Sequence, residues 1–199
     1  MNRRNFIKVA GGASVIVAAT GIGTFISTRT PHAAVKSWKS AGSQYSDPIR
    51  KALSYAILAP NPHNRQPWVV DLVSDTEAVL SCDLQRLLPA TDPFDRQITI
   101  GLGCFLELFA IAATHDGQRA EISLFPEGEP GEHLNNKPIA RMKLLKETKS
   151  TPDPLFAHTL HRRTNREPYN VDRNITLDKL QEILAVANTD VEASGVVGG

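Results

Sequence analysis

The chain has 199 residues, of which 41% are hydrophobic and 22% are charged. This length and composition allow one domain with a buried core, and they exclude a disordered or fibrous protein. Residues 1–34 contain four basic residues and no acidic residue, so the rest of the chain carries a net charge of −3. A mildly acidic body gives no electrostatic basis for nucleic-acid binding.

Residues 1–34 have the pattern of an export signal. The run Arg3-Arg4-Asn-Phe-Ile-Lys resembles the twin-arginine motif, and an uncharged, moderately apolar stretch follows from Val9 to Thr28. Small residues suited to signal peptidase stand at Ala33–Ala34. We therefore predict export to the periplasm by the twin-arginine translocase. The alternative is an uncleaved signal that stays as a membrane anchor, because the stretch is long enough to span a bilayer.

The first elements of the body are a linker, a helix and a hairpin. Residues 35–46 are small and polar, which predicts the linker, and Ser46-Asp47-Pro48 then reads as a helix start. Apolar residues from Ile49 to Ile57 recur at helical spacing, and Pro60 and Pro62 end the helix. The two strands of the predicted hairpin are Trp68 to Val73 and Ala78 to Cys82.

The most apolar segment, from Gln97 to Thr114, predicts a buried core helix that ends at His115-Asp116-Gly117. Helices and strands follow without regular alternation, which predicts an α+β fold rather than a doubly wound sheet. No Gly-x-Gly-x-x-Gly or Walker loop occurs. The later predicted elements are strands at Ala120 to Phe125 and Ile139 to Leu145, a short helix within Asp153 to Leu160, and an amphipathic helix from Thr176 to Ala187.

Residues 59–68 read Ala-Pro-Asn-Pro-His-Asn-Arg-Gln-Pro-Trp and carry the densest set of candidate binding groups. Prolines restrict the backbone, so the amide and imidazole side chains are held in place at little entropic cost. Such a loop suits the edge of a flat heterocycle, since amides both donate and accept hydrogen bonds. The alternative is a capped turn whose amides bind nearby backbone groups. The candidate ligand residues are Pro60, Asn61, His63, Asn64 and Gln66.

This loop resembles the nitroreductase family signature, Ala-Pro-Ser-x-x-Asn-x-Gln-Pro-Trp between a helix and the first strand. Asn61 stands where the family usually has Ser. The resemblance implies the FMN-dependent nitroreductase fold and hydride transfer through FMN to a small-molecule acceptor such as a nitro compound or quinone. It assigns no side chain as a catalytic acid or base.

A second run, His161-Arg-Arg-Thr-Asn-Arg166, resembles the family's Arg-Arg-Ser-x-Arg run, which grips the FMN phosphate. Guanidinium groups suit this role because they make charged, bidentate contacts to phosphate oxygens. The alternative is a solvated basic loop. The phosphate residues implied by the resemblance are Arg162, Arg163, Thr164 and Arg166.

The arginine run follows the Pro-Trp loop instead of preceding it, and this order resembles the Acg-type branch, in which two nitroreductase-like halves in one chain imitate the family homodimer. The segment from Asp92 to Gln97 resembles the same branch. The resemblance implies that the arginines of the second half meet the loop of the first. Its implied organisation is a signal at 1–34, a linker at 35–46, a first half at 47–160 and the start of an incomplete second half at 161–199.

Several alternatives follow from this organisation. The chain is expected to form an intramolecular pseudo-dimer or a homodimer. It acts as an oxidoreductase, as an FMN-binding or FMN-sequestering protein without turnover, or it is an inactive fragment. Free NAD(P)H is not expected outside the cytoplasm, so we expect a donor other than a soluble nicotinamide, or flavin storage.

The remaining candidates are weaker. Cys104 lies in the apolar helical run, which favours a buried free thiol over a disulfide with Cys82. His158 and His161 share one helical face, but no third ligand motif accompanies them, so no metal site is predicted.

Overall fold

A computed structural model of the chain describes residues 24–25, 28–29, 33, 35–147 and 151–186. The twin-arginine run and most of the predicted signal lie outside these residues. The chain divides into two compact units, the first ending at Arg162 and the second beginning at Arg163.

Within the described residues of the first unit, four strands form one antiparallel sheet. The strands are β1 (Trp68–Ser74), β2 (Glu77–Cys82), β3 (Gln118–Leu124) and β4 (Ala140–Lys146), in the order β1-β2-β4-β3. The predicted hairpin is β1 and β2, with Trp68 opposite Cys82. The two later strands are also confirmed, although β3 begins two residues before the predicted start at Ala120. The α+β prediction is therefore confirmed.

One face of the sheet is buried because its strands alternate apolar and polar residues. In β2 and β4 every second residue is buried, and β1 turns Trp68 and Val70 toward the same core. The opposite face is largely exposed, including Val69 and Val73 of β1, which lies at the edge of the sheet. The buried residues of β2 and β4 are Ala78, Leu80, Cys82, Ala140, Met142 and Leu144.

Three helices of the first unit are α1 (Lys36–Ser40), α2 (Pro48–Ala56) and α3 (Arg96–His115). The predicted start of α2 is confirmed, because Asp47 is the N-cap and its side chain accepts a hydrogen bond from the Arg50 N–H at 3.0 Å. Burial opposes ionisation of this carboxyl, but hydrogen bonds from Arg50 outweigh it and lower the pKa of Asp47.

The predicted core helix is α3, and Phe105 and Phe109 at its centre are fully buried. At the N-terminus of α3, the Asp92 carboxylate accepts a hydrogen bond from the Ile98 N–H at 3.0 Å. Beyond the C-terminus of α3, Gly117 adopts a φ of 68°. Among the described residues α3 is the one helix long and apolar enough to cross a membrane, and half of its apolar window is buried within the fold. This packing identifies α3 as a core helix.

The predicted linker contains α1 and is packed against α2. The Gly42 N–H donates to the Ser54 hydroxyl at 2.7 Å. Gly42 has a φ of 73°, and a Cβ at this position would collide with the Tyr55 ring. Tyr55 is half-buried, and this burial raises its pKa. Gly42, and with it the segment between α1 and α2, is therefore held against α2.

The second unit contains α4 (Leu177–Val186), which confirms the predicted amphipathic helix. Thr176 begins it, with its hydroxyl accepting from the Lys179 N–H at 3.4 Å. On the predicted apolar face, Leu177 and Ile183 are half exposed, and Ala187 lies outside the described residues. The predicted short helix before this unit is a 3-10 turn at Pro154–His158.

Candidate functional site

The loop between α2 and β1 holds three non-glycine residues in the left-handed region of backbone space. His63, Asn64 and Gln66 have φ values of 49°, 52° and 49°. Such backbone costs roughly 1 kcal/mol for most side chains and less for Asn, so a run of three such residues is held by the surrounding structure. All three side chains are exposed, and all three were predicted as ligand residues.

Asn61 closes this loop from inside. Its Oδ1 accepts from the Gln66 N–H at 2.8 Å, and its Nδ2 donates to the Ala59 carbonyl at 3.1 Å. Gln66 in turn directs its Nε2 toward the Asn64 Oδ1 at 3.4 Å. The capped-turn interpretation therefore holds for Asn61, which binds backbone groups. The ligand-binding interpretation remains open for the other polar side chains, His63, Asn64 and Gln66, which face solvent.

Two arginines clamp the loop to the turn after β2. Arg65 donates to the carbonyls of Arg86 and Gln85, each at 3.0 Å. Arg86 donates back to the Arg65 carbonyl at 2.9 Å, and its Nε lies 3.0 Å from a carboxylate oxygen of Asp83. Each guanidinium thus binds the other residue's backbone. This reciprocal pair, which we call the arginine clamp, fixes the centre of the loop.

The loop packs against α3 at Gly101. A Cβ at Gly101 would lie 3.2 Å from the Asn61 Cβ and 3.4 Å from the Pro62 Cδ. Gly101 is buried, whereas a Cβ at Gly103, half a turn further, would meet nothing within 4 Å. Gly101 is therefore the position that admits the loop, and Gly103 opens onto free space.

The end of the loop is fixed in the core. Pro67 is fully buried, and its carbonyl accepts from the Asp83 N–H at 2.7 Å. The Trp68 ring lies 5.3 Å from the Phe105 ring of α3, centroid to centroid. Contacts with α3, the turn after β2 and the core therefore hold the loop before any ligand binds.

Arg162, predicted as a phosphate ligand, is the last residue of the first unit, and its guanidinium contacts the start of the loop. Its Nη2 donates to the Leu58 carbonyl at 2.8 Å, and its guanidinium carbon lies 5.6 Å from the centre of the Trp38 ring. Arg162 thus ties α1 to the residue just before the Pro60 turn. Its role toward a phosphate group stays a prediction.

Arg163, Thr164 and Arg166 belong to the second unit and are exposed. Their predicted meeting with the loop of the first unit stays a prediction. The Asn165 side chain accepts a hydrogen bond from the Glu167 N–H at 2.9 Å, which forms a turn centred on Arg166, the last residue of the motif.

A second polar cluster lies at the N-terminus of α3. Asp95 is buried with a φ of 53°, and its carboxylate accepts from the Leu134 N–H at 3.1 Å. The Nδ1 of His133 lies 3.5 Å from the same carboxylate, and its ring stacks on Phe94 at 6.3 Å. Phe94 and His133 also border a cavity of ≈ 330 Å³. Asp95 therefore holds the 125–134 loop onto α3.

The two cysteines are free thiols, and burial raises the pKa of Cys82 to about 11. Cys82 is therefore a protonated core residue at neutral pH and not a nucleophile. His158 and His161 are exposed, and no group of three metal-ligating side chains occurs among the residues that the structure describes.

Sequence comparison places the chain near proteins named as nitroreductases. It is 35% identical over 89 residues to the Mycobacterium tuberculosis protein named "Putative NAD(P)H nitroreductase acg", a match that covers 45% of this chain and 27% of the relative. It is 31% identical over 74 residues to "Probable NAD(P)H nitroreductase PigM" of Serratia, covering 37% of this chain and 21% of PigM. The aligned parts thus amount to about a quarter of these relatives. They support the predicted resemblance to the nitroreductase family. No protein-family model matches the chain.

Two solved structures are similar to the chain at low identity. A "Putative NADH Oxidase" of Clostridium acetobutylicum aligns with a TM-score of 0.43 and 17% identity, covering 65% of this chain and 92% of that protein. A nitroreductase family protein of Clostridium difficile aligns with a TM-score of 0.39 and 21% identity, covering 60% of this chain and 82% of that protein.

Proposed function

We propose that this protein is an FMN-binding oxidoreductase of the nitroreductase family and that the 59–68 loop contacts the flavin. The observation that carries the proposal is the strained and clamped loop, which directs His63, Asn64 and Gln66 to solvent. Amide and imidazole groups supply the donors and acceptors that the edge of a flavin requires. A loop already fixed by α3 and the arginine clamp would bind without an ordering cost.

The residues present fit FMN, with the loop side chains assigned to the flavin ring and the arginine run to the phosphate. Asn61 is occupied within the loop, so His63, Asn64 and Gln66 are the side chains available to a ligand. Arg163, Thr164 and Arg166 are assigned to the phosphate on the strength of their motif. Bound FMN would supply hydride transfer to an acceptor such as a nitro compound or quinone, while the protein orients it and excludes water.

Flavin uptake by the full chain tests the proposal. FMN binding should quench flavin fluorescence, and FMN should bind at least about tenfold more tightly than riboflavin, which lacks the phosphate. The Arg163→Ala/Arg166→Ala variant should lose this preference, while Arg119→Ala, at an exposed arginine of β3, should keep it. A chain that takes up neither flavin would overturn the proposal.

Turnover is tested on the flavin-loaded protein. A reductant should bleach the flavin absorbance, and a nitroarene or quinone should restore it. Reduction without recovery by any acceptor would instead favour flavin storage. Comparing NADPH with an artificial donor tests the expectation that the donor is not a soluble nicotinamide.

Export by the twin-arginine route is a further part of the proposal, supported by the Arg3-Arg4 run. In cell fractionation the chain should reach the periplasm, and Arg3→Lys/Arg4→Lys should leave it in the cytoplasm. A cytoplasmic location of the unmodified chain would overturn the export prediction and the argument about its electron donor.

A further inference from the structure

A cleft of ≈ 310 Å³ lies on the first unit between α2, β1 and the segment that runs from α1 to Tyr45. None of its lining residues belongs to the 59–68 loop. The hydrogen bond from Gly42 to Ser54 and the contact of the Arg162 guanidinium with the Trp38 ring hold the α1 side of the cleft in place. The cleft is therefore formed before anything binds in it, as small-molecule sites usually are.

The floor of the cleft is aliphatic. Leu53 and Ile57 of α2 and Val70 and Leu72 of β1 form it. The first three lie at the margin of the core and are only partly buried, and Leu72 is 40% exposed. Covering these side chains would remove apolar surface from water, so the floor favours the hydrocarbon part of a ligand.

The rim of the cleft carries hydrogen-bonding groups that the fold does not use. The side chains of Ser37, Gln44 and Tyr45 make no hydrogen bond to any residue that the structure describes. Arg50 also lines the cleft, and its Nη1 lies 3.3 Å from a carboxylate oxygen of Asp47. A guanidinium has five N–H donors, so this exposed contact leaves others for a ligand.

The charge around the cleft favours an anion. Residues 36–50, which form one wall and the rim, contain Lys36, Lys39 and Arg50 but a single acidic residue, Asp47, so their net charge is +2. Asp71 lies between two floor residues on β1, and strand alternation turns it to the opposite face of the sheet. An anionic group at the rim is thus attracted by the surrounding side chains.

We propose that this cleft binds a medium-chain aliphatic carboxylate. Its volume corresponds to about ten non-hydrogen atoms at roughly 30 Å³ each, which is the size of octanoate. The hydrocarbon chain lies on the aliphatic floor. The carboxylate binds the Arg50 guanidinium by charged hydrogen bonds, with Gln44 and Tyr45 as further donors at the rim.

Calorimetric titration of the full chain with octanoate tests the proposal. One octanoate should bind per chain with a dissociation constant of about 1 mM or below, as expected for a ligand of this size. Octylammonium, which has the same hydrocarbon chain and the opposite charge, should bind at least about tenfold more weakly. Arg50→Gln should remove this difference, whereas Arg119→Gln, at an exposed arginine of β3, should keep it. Equal affinity of the wild-type chain for both probes, or no saturable binding of octanoate, would overturn the proposal.

Leu72→Asp tests the aliphatic floor. It should weaken octanoate binding at least about tenfold, because it removes hydrocarbon contact and adds a negative charge. Val73→Asp is the matched control: Val73 is the next residue of β1, is 55% exposed and lies outside the cleft, so the constant should not change. Thermal unfolding checks that both variants fold. An equal loss of binding in both would contradict the assignment to this cleft. These titrations need no flavin, so their outcome is separate from that of the proposed function.

Discussion

The two segments proposed to bind FMN differ in how the protein holds them. The 59–68 loop is fixed by Asn61, by the arginine clamp and by contact with Gly101 of α3. Of the 162–166 run, Arg162 is bound to the first unit, while Arg163, Thr164 and Arg166 are exposed residues of the second. The loop therefore has a fixed geometry that suits a ligand, whereas the assignment of Arg163, Thr164 and Arg166 to the phosphate rests on their sequence motif alone.

The strongest test of the fixed loop is steric. Gly101→Leu places a side chain against Asn61 and Pro62, so the loop or α3 must move, and overpacking of this kind costs about 2–3 kcal/mol of unfolding free energy. Chemical denaturation measures the loss. Gly103→Leu is the matched control and should be neutral or stabilising by up to about 1 kcal/mol, since it gains helix propensity in open space. Equal effects at both glycines would show that the loop does not depend on this contact.

Arg162 distinguishes the anchored end of the arginine run from its exposed end. Arg162→Ala removes the donor to the Leu58 carbonyl and should destabilise the first unit by about 1–2 kcal/mol. Arg166→Ala should change stability by less than about 0.5 kcal/mol, because the residue is exposed. Thermal unfolding of both variants without flavin makes the comparison. Equal losses would remove the distinction between the two ends.

The arginine clamp accounts for a smaller part of the loop's stability. Arg86→Ala should cost about 1 kcal/mol, because its hydrogen bonds to the Arg65 and Gln66 carbonyls are exposed and water can replace them. Hydrogen exchange should rise at the amides of Asn64, Arg65 and Gln66, which are hydrogen-bonded within the loop, and stay constant in β4. Uniform exchange across both regions would indicate global destabilisation instead of a released loop.

The smallest expected effect is a pH dependence at the start of α2. The pKa of Asp47 is lowered in the folded chain, so its contribution is present above the unfolded pKa of about 3.9 and is lost as the pH falls through the folded value. Solvent screening keeps this contribution below about 0.5 kcal/mol. Asp47→Asn should flatten the corresponding part of a stability profile measured between neutral and acidic pH. If Asp47→Asn leaves the profile unchanged, the Asp47 carboxylate is not a source of the pH dependence of stability.

The regular elements of the fold were predictable because their signals are local. The continuous apolar run of residues indicates the buried helix α3, and the Asp47-Pro48 pair indicates the N-cap and first turn of α2. The five-residue helix α1 was not predicted, since it is too short to show a period and Trp38 is its one large apolar side chain. The short helix predicted near residue 155 has the tighter 3-10 form.

The residue types of the candidate site could be predicted from the sequence, but the contacts that hold them in place could not. The loop residues stood out by type, but the arginine clamp joins positions about twenty residues apart through backbone carbonyls, which carry no residue-specific signal. Arg162 shows the same limit, because a guanidinium binds a carbonyl oxygen as readily as a phosphate oxygen. Gly101 could be noticed in sequence, but what occupies the space beside it required the fold.

The left-handed backbone at His63, Asn64 and Gln66 has a consequence for how this protein would respond to selection in the laboratory. Glycine would relieve the strain at each position, so a library screened only for heat resistance should accumulate glycines there. The chain instead has His63, Asn64 and Gln66 there, of which Asn and His tolerate this backbone better than most side chains do. Because glycine would serve the turn at least as well, the exposed imidazole and amides at these positions are groups that the turn itself does not require.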